Sequence, residues 1–524
     1  MNMLAPKDMV KAHQKGEEKK TQTPRVEEPL TVDTYAGKVQ IRWEPDAAVS
    51  ALGQMPFFIE FLKTAELFDR WVEDCPVRYR SPNAPRKRDV LGTILLSVLA
   101  GHWRYAHISA LRGDGVNPAL LGMKKVASED SVRRMFTQAG VSRAEWEQWL
   151  SQHLRASYEP LLVEPWILDV DSTVKPLYGH QEEAKVGYNP HKPGRPSHVY
   201  HSYFVGSLRL VLEVEVQAGN QTAPVYAQPG LWKFIDGLQA QHRPALLRGD
   251  CHWGSEKMML GAEQRCLAYL FKLRQSKNVT KLIERLIDSS GWEEAGQGWQ
   301  GVSCELQLQG WSGARRVVVL RRRVREKKAD SSPEEAGAAQ LRLKGIELMH
   351  HGVFYEYAVL VTSLSLGVLS IAQLYRDRGD AENNYDELKN QWGWSGYTTQ
   401  DHQRCAIMAR IVALIYNWWT LYTRLVTPDK HAEAITSRPL LLHGIARQTR
   451  HSHQTTVSIT STHAQASAIE VAVGAVSRFL KWVKTSAEQL TRAERWRLIL
   501  SRAFDKYLHG KGLGGIPRLA VAPT

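Results

Sequence analysis

The chain has little cysteine and no cysteine pair. Cys75, Cys251, Cys266, Cys304 and Cys405 are its five in 524 residues, scattered and odd in number. Without a CxxC spacing, neither a zinc knuckle nor a disulfide framework is indicated. A reducing cytoplasm is the simplest setting. The N-terminus lacks the apolar core of a signal peptide. No long hydrophobic run is uninterrupted either. The most apolar segment, 405–426, is broken by Arg410, Asn417 and Arg424 and reads as a buried helix, not a membrane span. A Gly-rich nucleotide loop, a Ser/His/Asp nucleophile pattern and an internal repeat are all missing.

Positive charge is in excess. A formal net charge of +14 and a pI near 9.4 point to a polyanionic partner. The length predicts several domains, and the apolar fraction of 43% supplies a core. Seventeen tryptophans serve stacking surfaces or that core.

Residues 1–45 read as a polar, flexible arm with one short strand at 38–43. Residues 46–160 read as a small helical domain. Arg78, Arg80, Arg86, Lys87 and Arg88 sit in a connection inside it, and Ser128 is placed to cap a helix carrying Arg133 and Arg134. Such a domain suits DNA binding, and a plain helical domain with a solvated basic face fits equally.

The texture changes near Glu164. Segment 166–171 is a short apolar strand ending in carboxylates, with Asp169 and Asp171 on one face. A loop rich in Gly, Lys and His covers 179–196. Strands then fit 198–206 and 209–216, a helix 231–241, a strand 245–250 ending in Asp250, and a strand 267–273. This order predicts an α/β fold, a mixed sheet with helices packed on it, over 161–274. Carboxylate-bearing strand ends are where open α/β sheets place their sites. Residues 275–367 read as a β-rich insertion with a charged linker at 326–335. The interrupted core resumes at 368–428. The region 429–524 reads as helical, with a His/Thr/Ser-rich connection at 451–463 and a fraying tail after Lys511.

Tyr375, Arg378, Glu382 and Lys389 are separated by two, three and six residues. On a continuous helix they share an arc of roughly 60°. A phenol, a guanidinium, a carboxylate and an ammonium on one face suit a phosphodiester, because Arg378 can fork onto phosphate oxygens. A solvated charged helix with i,i+4 pairs is the competing reading. Asp377, Asp380 and Glu387 lie off this face and read as solvated. Asp171, Asp250 and Glu382 are distant in sequence but sit on elements that a fold can bring together. Three carboxylates without His or Cys partners favour a hard, oxygen-binding cation such as Mg²⁺. Two such ions about 3.5–4 Å apart serve in-line phosphoryl displacement. Asp169 remains a rival for the first ligand, although the position directly before Ser172 and Thr173 favours Asp171. His252 and Trp253 read as packing or DNA-contact residues. The run 321–325, with Arg321, Arg322, Arg323 and Arg325, reads as half in-facing and half out-facing on a strand. It suits tracking a DNA backbone or a solvated edge that discourages aggregation.

These residues resemble a family, the bacterial insertion-sequence transposases of the DDE type. The 375/378/382/389 spacing is similar to the Tyr-Arg-Glu-Lys signature of the hairpin-forming, cut-and-paste branch. Asp171-Ser-Thr resembles the first-aspartate motif, segment 179–190 the loop that follows it, and Arg248-Gly-Asp250 the second-aspartate motif. Asn417-Trp-Trp resembles the apolar helix after the signature. The resemblance covers about 165–425. It implies a ribonuclease-H-like catalytic core with a β-strand insertion between the second Asp and the Glu. Asp171, Asp250 and Glu382 would hold two Mg²⁺, with Mn²⁺ as a substitute, and Tyr375, Arg378 and Lys389 would bind DNA phosphates. It further implies binding to terminal inverted repeats, cleavage by metal-activated water, hairpin formation by the freed 3′-hydroxyl, and strand transfer into target DNA. A homodimer on two synapsed ends, in a bacterial cytoplasm at the nucleoid, would do this without a membrane. A base flipped near the cut would stack on an aromatic residue of the insertion, with Trp292, Trp299 and Trp311 as candidates. An inactive DNA-binding descendant, or a two-metal nuclease without strand transfer, would share the acidic residues.

Overall fold

The computed structural model describes residues 30–44, 46–137, 140–163, 165–189, 192–324, 347–350, 353–460, 463–486 and 489–514. The arm before residue 30, the linker 326–335, Arg325 and the tail from 515 lie outside them. So does Glu164 at the predicted domain boundary. Residues up to Ala47 form one unit and those from Ala48 another. In the first unit, β1 (Leu30–Thr34) pairs antiparallel with β2 (Gly37–Ile41). A hairpin therefore stands where the sequence predicts a single strand. Gly37, at φ 101°, allows the reversal.

The second unit opens with β3 (Val49–Ser50) and a set of helices, among them Met55–Thr64, Lys87–Leu99 and Arg143–Tyr158. Ser128 caps its helix as expected, its Oγ accepting from the Ser131 N–H at 3.2 Å. Ser142 and Glu145 form a capping box at the start of Arg143–Tyr158.

The main sheet then builds from β4 (Ile167–Pro176), β5 (Lys185–Val186), β6 (Pro196–Val205), β7 (Leu210–Ala218), β8 (Leu246–Gly249), β9 (Ala268–Lys272), β10 (Glu293–Gly296), β11 (Trp299–Leu306), β12 (Arg315–Arg323), β13 (Glu347–His350) and β14 (Val353–Thr362). Its spatial order is β10-β11-β12-β14-β9-β8-β4-β6-β5, with β7 also on β6 and β13 on β14. Strands β4, β8 and β9 run parallel to one another, and the remaining pairs are antiparallel. The carboxylate-bearing strands are thus central neighbours.

The segment 275–367 does not stand apart from the core. It opens with the helix Lys277–Leu286, and β12 and β14 continue the core sheet through β14 on β9. The reason is burial on both faces. Val317, Val318, Val319 and Leu320 are all buried, as are Val359, Leu360 and Val361, so these strands need cover on either side.

Helix His402–Val426 is long and apolar enough to cross a membrane, yet its apolar stretch is buried inside the protein. Asn417 explains its polar interruption. Its Oδ1 accepts from the Val211 N–H at 2.9 Å, and its Nδ2 donates to the Val211 carbonyl at 2.8 Å, satisfying the backbone of β7. Trp418 packs edge-on against Trp71, and Trp419 Nε1 donates to Ser437 Oγ at 2.9 Å.

The C-terminal region is not all helical. Between helices Ala434–Leu441 and Ala466–Thr485, β15 (Ile445–His451) and β16 (Gln454–Thr460) form a hairpin whose first strand pairs with β3. The stretch predicted as a connection is the tip and second strand of this hairpin. Its Thr, Val and Ile residues favour extended backbone.

Candidate active site

Strands β4 and β8 place the first two carboxylates. Val170 pairs with Gly249, so Asp171 and Asp250 follow at the same level on adjacent parallel strands. Gly249 is required by a close approach, because a Cβ there would lie 2.9 Å from Trp253. Asp171 Oδ1 accepts from the Ser172 N–H at 2.7 Å. Ser172 Oγ is in turn 2.7 Å from His201 Nδ1, and burial keeps this imidazole neutral, its pKa pushed down to about 4. Asp250 is held by a single residue: Oδ1 accepts the His252 N–H at 3.0 Å and Oδ2 lies 2.9 Å from His252 Nδ1.

Tyr375, Arg378, Glu382 and Lys389 do not share one helix. Val368–Arg376 ends, the chain turns through Asp377 and Arg378, and Gly379–Asn390 begins. The Arg378 N–H reaches back only to the Tyr375 carbonyl, a tightened turn next to Gly379, a weak helix former. This break aims Arg378 inward. Its buried guanidinium donates from Nη1 to Glu382 Oε1 at 2.6 Å and from Nη2 to Asp171 Oδ2. Arg378 therefore lies between two of the expected metal ligands and forks onto carboxylates rather than outward. Asp171 is 17% exposed and Glu382 62%. Lys389 is further along the second helix, where burial lowers its pKa and Asp386 counteracts. Its ammonium has no contact with the three carboxylates among the described residues. Tyr375 is half-buried, and burial raises its phenol pKa.

The electrostatics follow from burial. Asp171 is pushed up to about 7, chiefly by loss of water, with Asp250 and Glu382 adding repulsion and Arg378 opposing. Burial acts the same way on Asp250, but the hydrogen bonds from His252 outweigh it and hold the carboxyl below its usual range. Burial alone would weaken Arg378 as a cation. The charges of Asp171, Asp250 and Glu382 overcome that and keep it protonated.

Asp169 is engaged elsewhere. Its Oδ1 accepts Arg248 Nε at 2.6 Å and its Oδ2 accepts Nη2 at 2.9 Å, a buried bidentate pair. Arg248 also donates to the Leu374 carbonyl, tying β8 to helix Val368–Arg376. Glu387, expected to be solvated, is buried. It accepts from Trp392 Nε1 at 3.0 Å and the Ala434 N–H at 3.0 Å, and its Oε2 lies 2.7 Å from His431 Nε2. Lying off the Glu382 face turned it toward the protein rather than toward water. Asp377 is exposed, and the Asp380 side chain lies outside the described residues.

Several neighbours of these carboxylates carry no sequence motif. Lys272 closes the apolar strand β9 and is buried within reach of the charges of Asp250, Glu356 and Arg378. Burial lowers its pKa. His252 serves as a clamp, and Tyr188, from the 179–190 loop, packs on it with ring centroids 5.7 Å apart. Pro190, the end of that loop, lies outside the described residues. Trp292, Trp299 and Trp311 are all half-buried, each with an arginine over its ring: Arg321, Arg322 and Arg315 respectively.

The predicted basic runs are partly consumed by the fold. Arg321 donates to Gln300 Oε1 and to the Ile287 carbonyl, and Arg322 pairs with Glu356. Arg88 pairs with Asp69, Arg86 with Asp89, and Lys87 Nζ donates to the Cys75 carbonyl.

The fold and site define a mixed α/β protein with an acidic centre at the ends of two central parallel strands. The chain belongs to the family described as Transposase DDE domain group 1, whose sequence model matches residues 76–481. It is a DDE-type transposase, an enzyme class that uses divalent metal ions. No curated protein matches the sequence. A solved structure, the cryo-EM structure of a piggyBac transposase synaptic complex with hairpin DNA, is similar at 12% identity. The match covers 86% of this chain and 85% of that one, with a TM-score of 0.39.

Proposed function

We propose that this transposase cleaves DNA at transposon ends, closes hairpins and joins the freed ends to target DNA, with Asp171, Asp250 and Glu382 as its metal ligands. The observation that carries the reading is Arg378 held between Asp171 and Glu382, with Asp250 level with Asp171 on the next strand. The strand order β7-β6-β4-β8-β9, antiparallel at β6, supports a ribonuclease-H-like core within the sheet. The division into an N-terminal DNA-binding region to 160, a core at 161–274 and 368–428, an insertion at 275–367 and a C-terminal region belongs to this proposal.

The donor chemistry fits a hard cation. Asp171 and Asp250 already have one oxygen each tied to a backbone N–H, and the partner of Asp171 Oδ2 and Glu382 Oε1 is itself a cation. Among the described residues, the one His/Cys/Asp/Glu group with ligand atoms within 4.8 Å is Asp250, Cys251 and His252. In the proposed reading a bound cation takes the place of Arg378 between Asp171 and Glu382. Bound Mg²⁺, two ions with Mn²⁺ as a substitute, would activate the attacking oxygen and stabilise the leaving oxygen. Arg378, once released, turns its fork to a phosphate. Lys272 sits beside Asp250 as a charge for the same phosphate, and Tyr375 and Lys389 line the path of the strand. The hydrogen bonds of His252 keep Asp250 ionised and fixed. The partners are duplex DNA, as terminal repeats and target, bound by two copies of the chain.

Product analysis tests this reading. Incubated with Mg²⁺ and a duplex carrying the transposon end, the chain is expected to yield nicks, then hairpins, then joined strands on denaturing gels. Nicks alone would leave a nuclease.

A further inference from the structure

We propose that the β15–β16 ribbon is a DNA-reading arm that enters the major groove of duplex DNA, apart from the acidic centre. The proposal rests on the reading above in one respect, that the chain's partner is duplex DNA.

The ribbon is anchored at its base and free at its tip. Ala446 is buried and pairs with Ser50, Arg447 pairs with Val49, and the Gln448 N–H donates to the Ala48 carbonyl at 2.8 Å. Gln54 ties down the chain just before the ribbon: its Nε2 donates to the carbonyls of Leu440 and His443 at 2.8 and 2.9 Å. These contacts fix the direction in which the ribbon leaves the protein. Every residue from 449 to 456 is exposed.

The side chains are those of a reader. Register pairs Arg447 with Ser458, Thr449 with Thr456 and His451 with Gln454, so these six share one face. All six are exposed. Arg450 lies on the opposite face, paired with Thr455. Arg447 and Arg450 make no side-chain hydrogen bond or ion pair among the described residues, unlike the arginines at 86–88 and 321–322. The segment 445–460 contains no Asp or Glu. A face of arginine, hydroxyls, an amide and an imidazole offers donors and acceptors for base edges and little to bury against a protein.

The dimensions agree. Two strands lie about 4.8 Å apart and seven residues extend about 23 Å. The major groove, about 12 Å wide and 8.5 Å deep, admits such a ribbon. Strands are used in this way by other DNA readers. In this arrangement Arg447 reaches base edges and Arg450 a phosphate.

The test uses the full chain and a library of randomised 30-base-pair duplexes, from which the wild type selects its preferred sequence. Arg447→Ala should bind that sequence about 5- to 100-fold more weakly while its affinity for an unselected duplex holds. Arg450→Ala should weaken both and flatten the slope of log K against log salt by about 0.9. Both side chains are exposed, so melting temperatures should stay at the wild-type value. Selective wild-type binding left unchanged in the Arg447→Ala, Arg450→Ala double variant overturns the arm and leaves the transposase reading standing. A double variant that instead loses self-association at unchanged DNA affinity overturns it too, marking a protein-docking edge. A wild type that binds no duplex at all removes the reading on which the arm rests.

Discussion

Arg378 donates from Nη1 to Glu382 Oε1 at 2.6 Å while its other Nη serves Asp171. One guanidinium thus stands between two carboxylates, a largely buried Asp171 and an exposed Glu382. Removing it leaves those charges without a partner. Arg378→Ala is expected to lower the metal-free melting temperature and to gain more from added Mg²⁺ than the wild type does. Equal gains in a thermal scan would mean that Arg378 and the cation do not share a place. Arg378→Lys should not restore nicking, because an ammonium cannot fork.

Proton and metal compete for Asp171. Its carboxyl sits at about 7 instead of the ordinary 3.8, so in the metal-free fold it keeps its proton to higher pH than a free carboxyl does. Its contribution to stability is fully present below about pH 4 and is lost as the pH rises through 7. A cation needs the ionised form. Mg²⁺ affinity measured by calorimetry should therefore tighten from pH 5.5 to about 7 and level off above. An affinity flat across that range would contradict the placement of Asp171.

Asp169→Asn tests a different role. The Asp169–Arg248 pair is buried on both sides, with side chains 2% and 3% exposed. Breaking one partner of such a pair typically costs about 3–5 kcal/mol. Denaturant unfolding should show that loss, and nicking per folded molecule should fall less than for Asp171→Ala.

Glu387 anchors the segment after the apolar helix. Burial raises its carboxyl, but the hydrogen bonds from His431, Trp392 and Ala434 prevail and hold it below the ordinary range. A depressed carboxyl stabilises the fold above its unfolded value, about 4.3, and that contribution is lost as the pH falls through the folded value. Glu387→Gln is expected to destabilise by about 1–3 kcal/mol at pH 7, with the difference from wild type shrinking in acid. A constant difference down to pH 3 would count against the assignment.

The strands bearing Asp171 and Asp250 were legible in the sequence because apolar runs ending in carboxylates have few alternatives. The buried helix around Asn417 was legible as an apolar run, and its interruptions each have a partner: Asn417 the backbone of β7, Arg410 the carboxylate of Glu213 and Arg424 the ring of Phe504. The break at Arg378 was not, because helical spacing persists through a tightened turn and Gly379 alone is a weak signal. Glu387 was misread since position on a helix wheel says which way a side chain points, not whether protein or water waits there. The joining of β12 and β14 to the core sheet depends on pairing between residues some 90 apart, such as Phe271 with Val361, which no local pattern reveals. The ribbon at 445–460 was hidden by its polar composition, since 451–463 reads as a connection inside a helical region.

Salt dependence measures the basic surface. Arg78, Arg80 and Arg86 are exposed, as are Arg447 and Arg450. Each cation that meets a phosphate contributes about −0.9 to the slope of log K against log salt. Binding of the full chain to a duplex should weaken steeply between 50 and 200 mM salt, by about 10³-fold if six such contacts form. A flat titration would exclude a backbone-contact surface.

The most direct measurement compares nicking and binding in three variants. Asp171→Ala, Asp250→Ala and Glu382→Gln each remove one proposed ligand while leaving the basic surface alone. Each is expected to shift end-bearing duplex DNA in a gel as the wild type does, and to yield no Mg²⁺- or Mn²⁺-dependent nick. Normal cutting by Glu382→Gln would contradict the account.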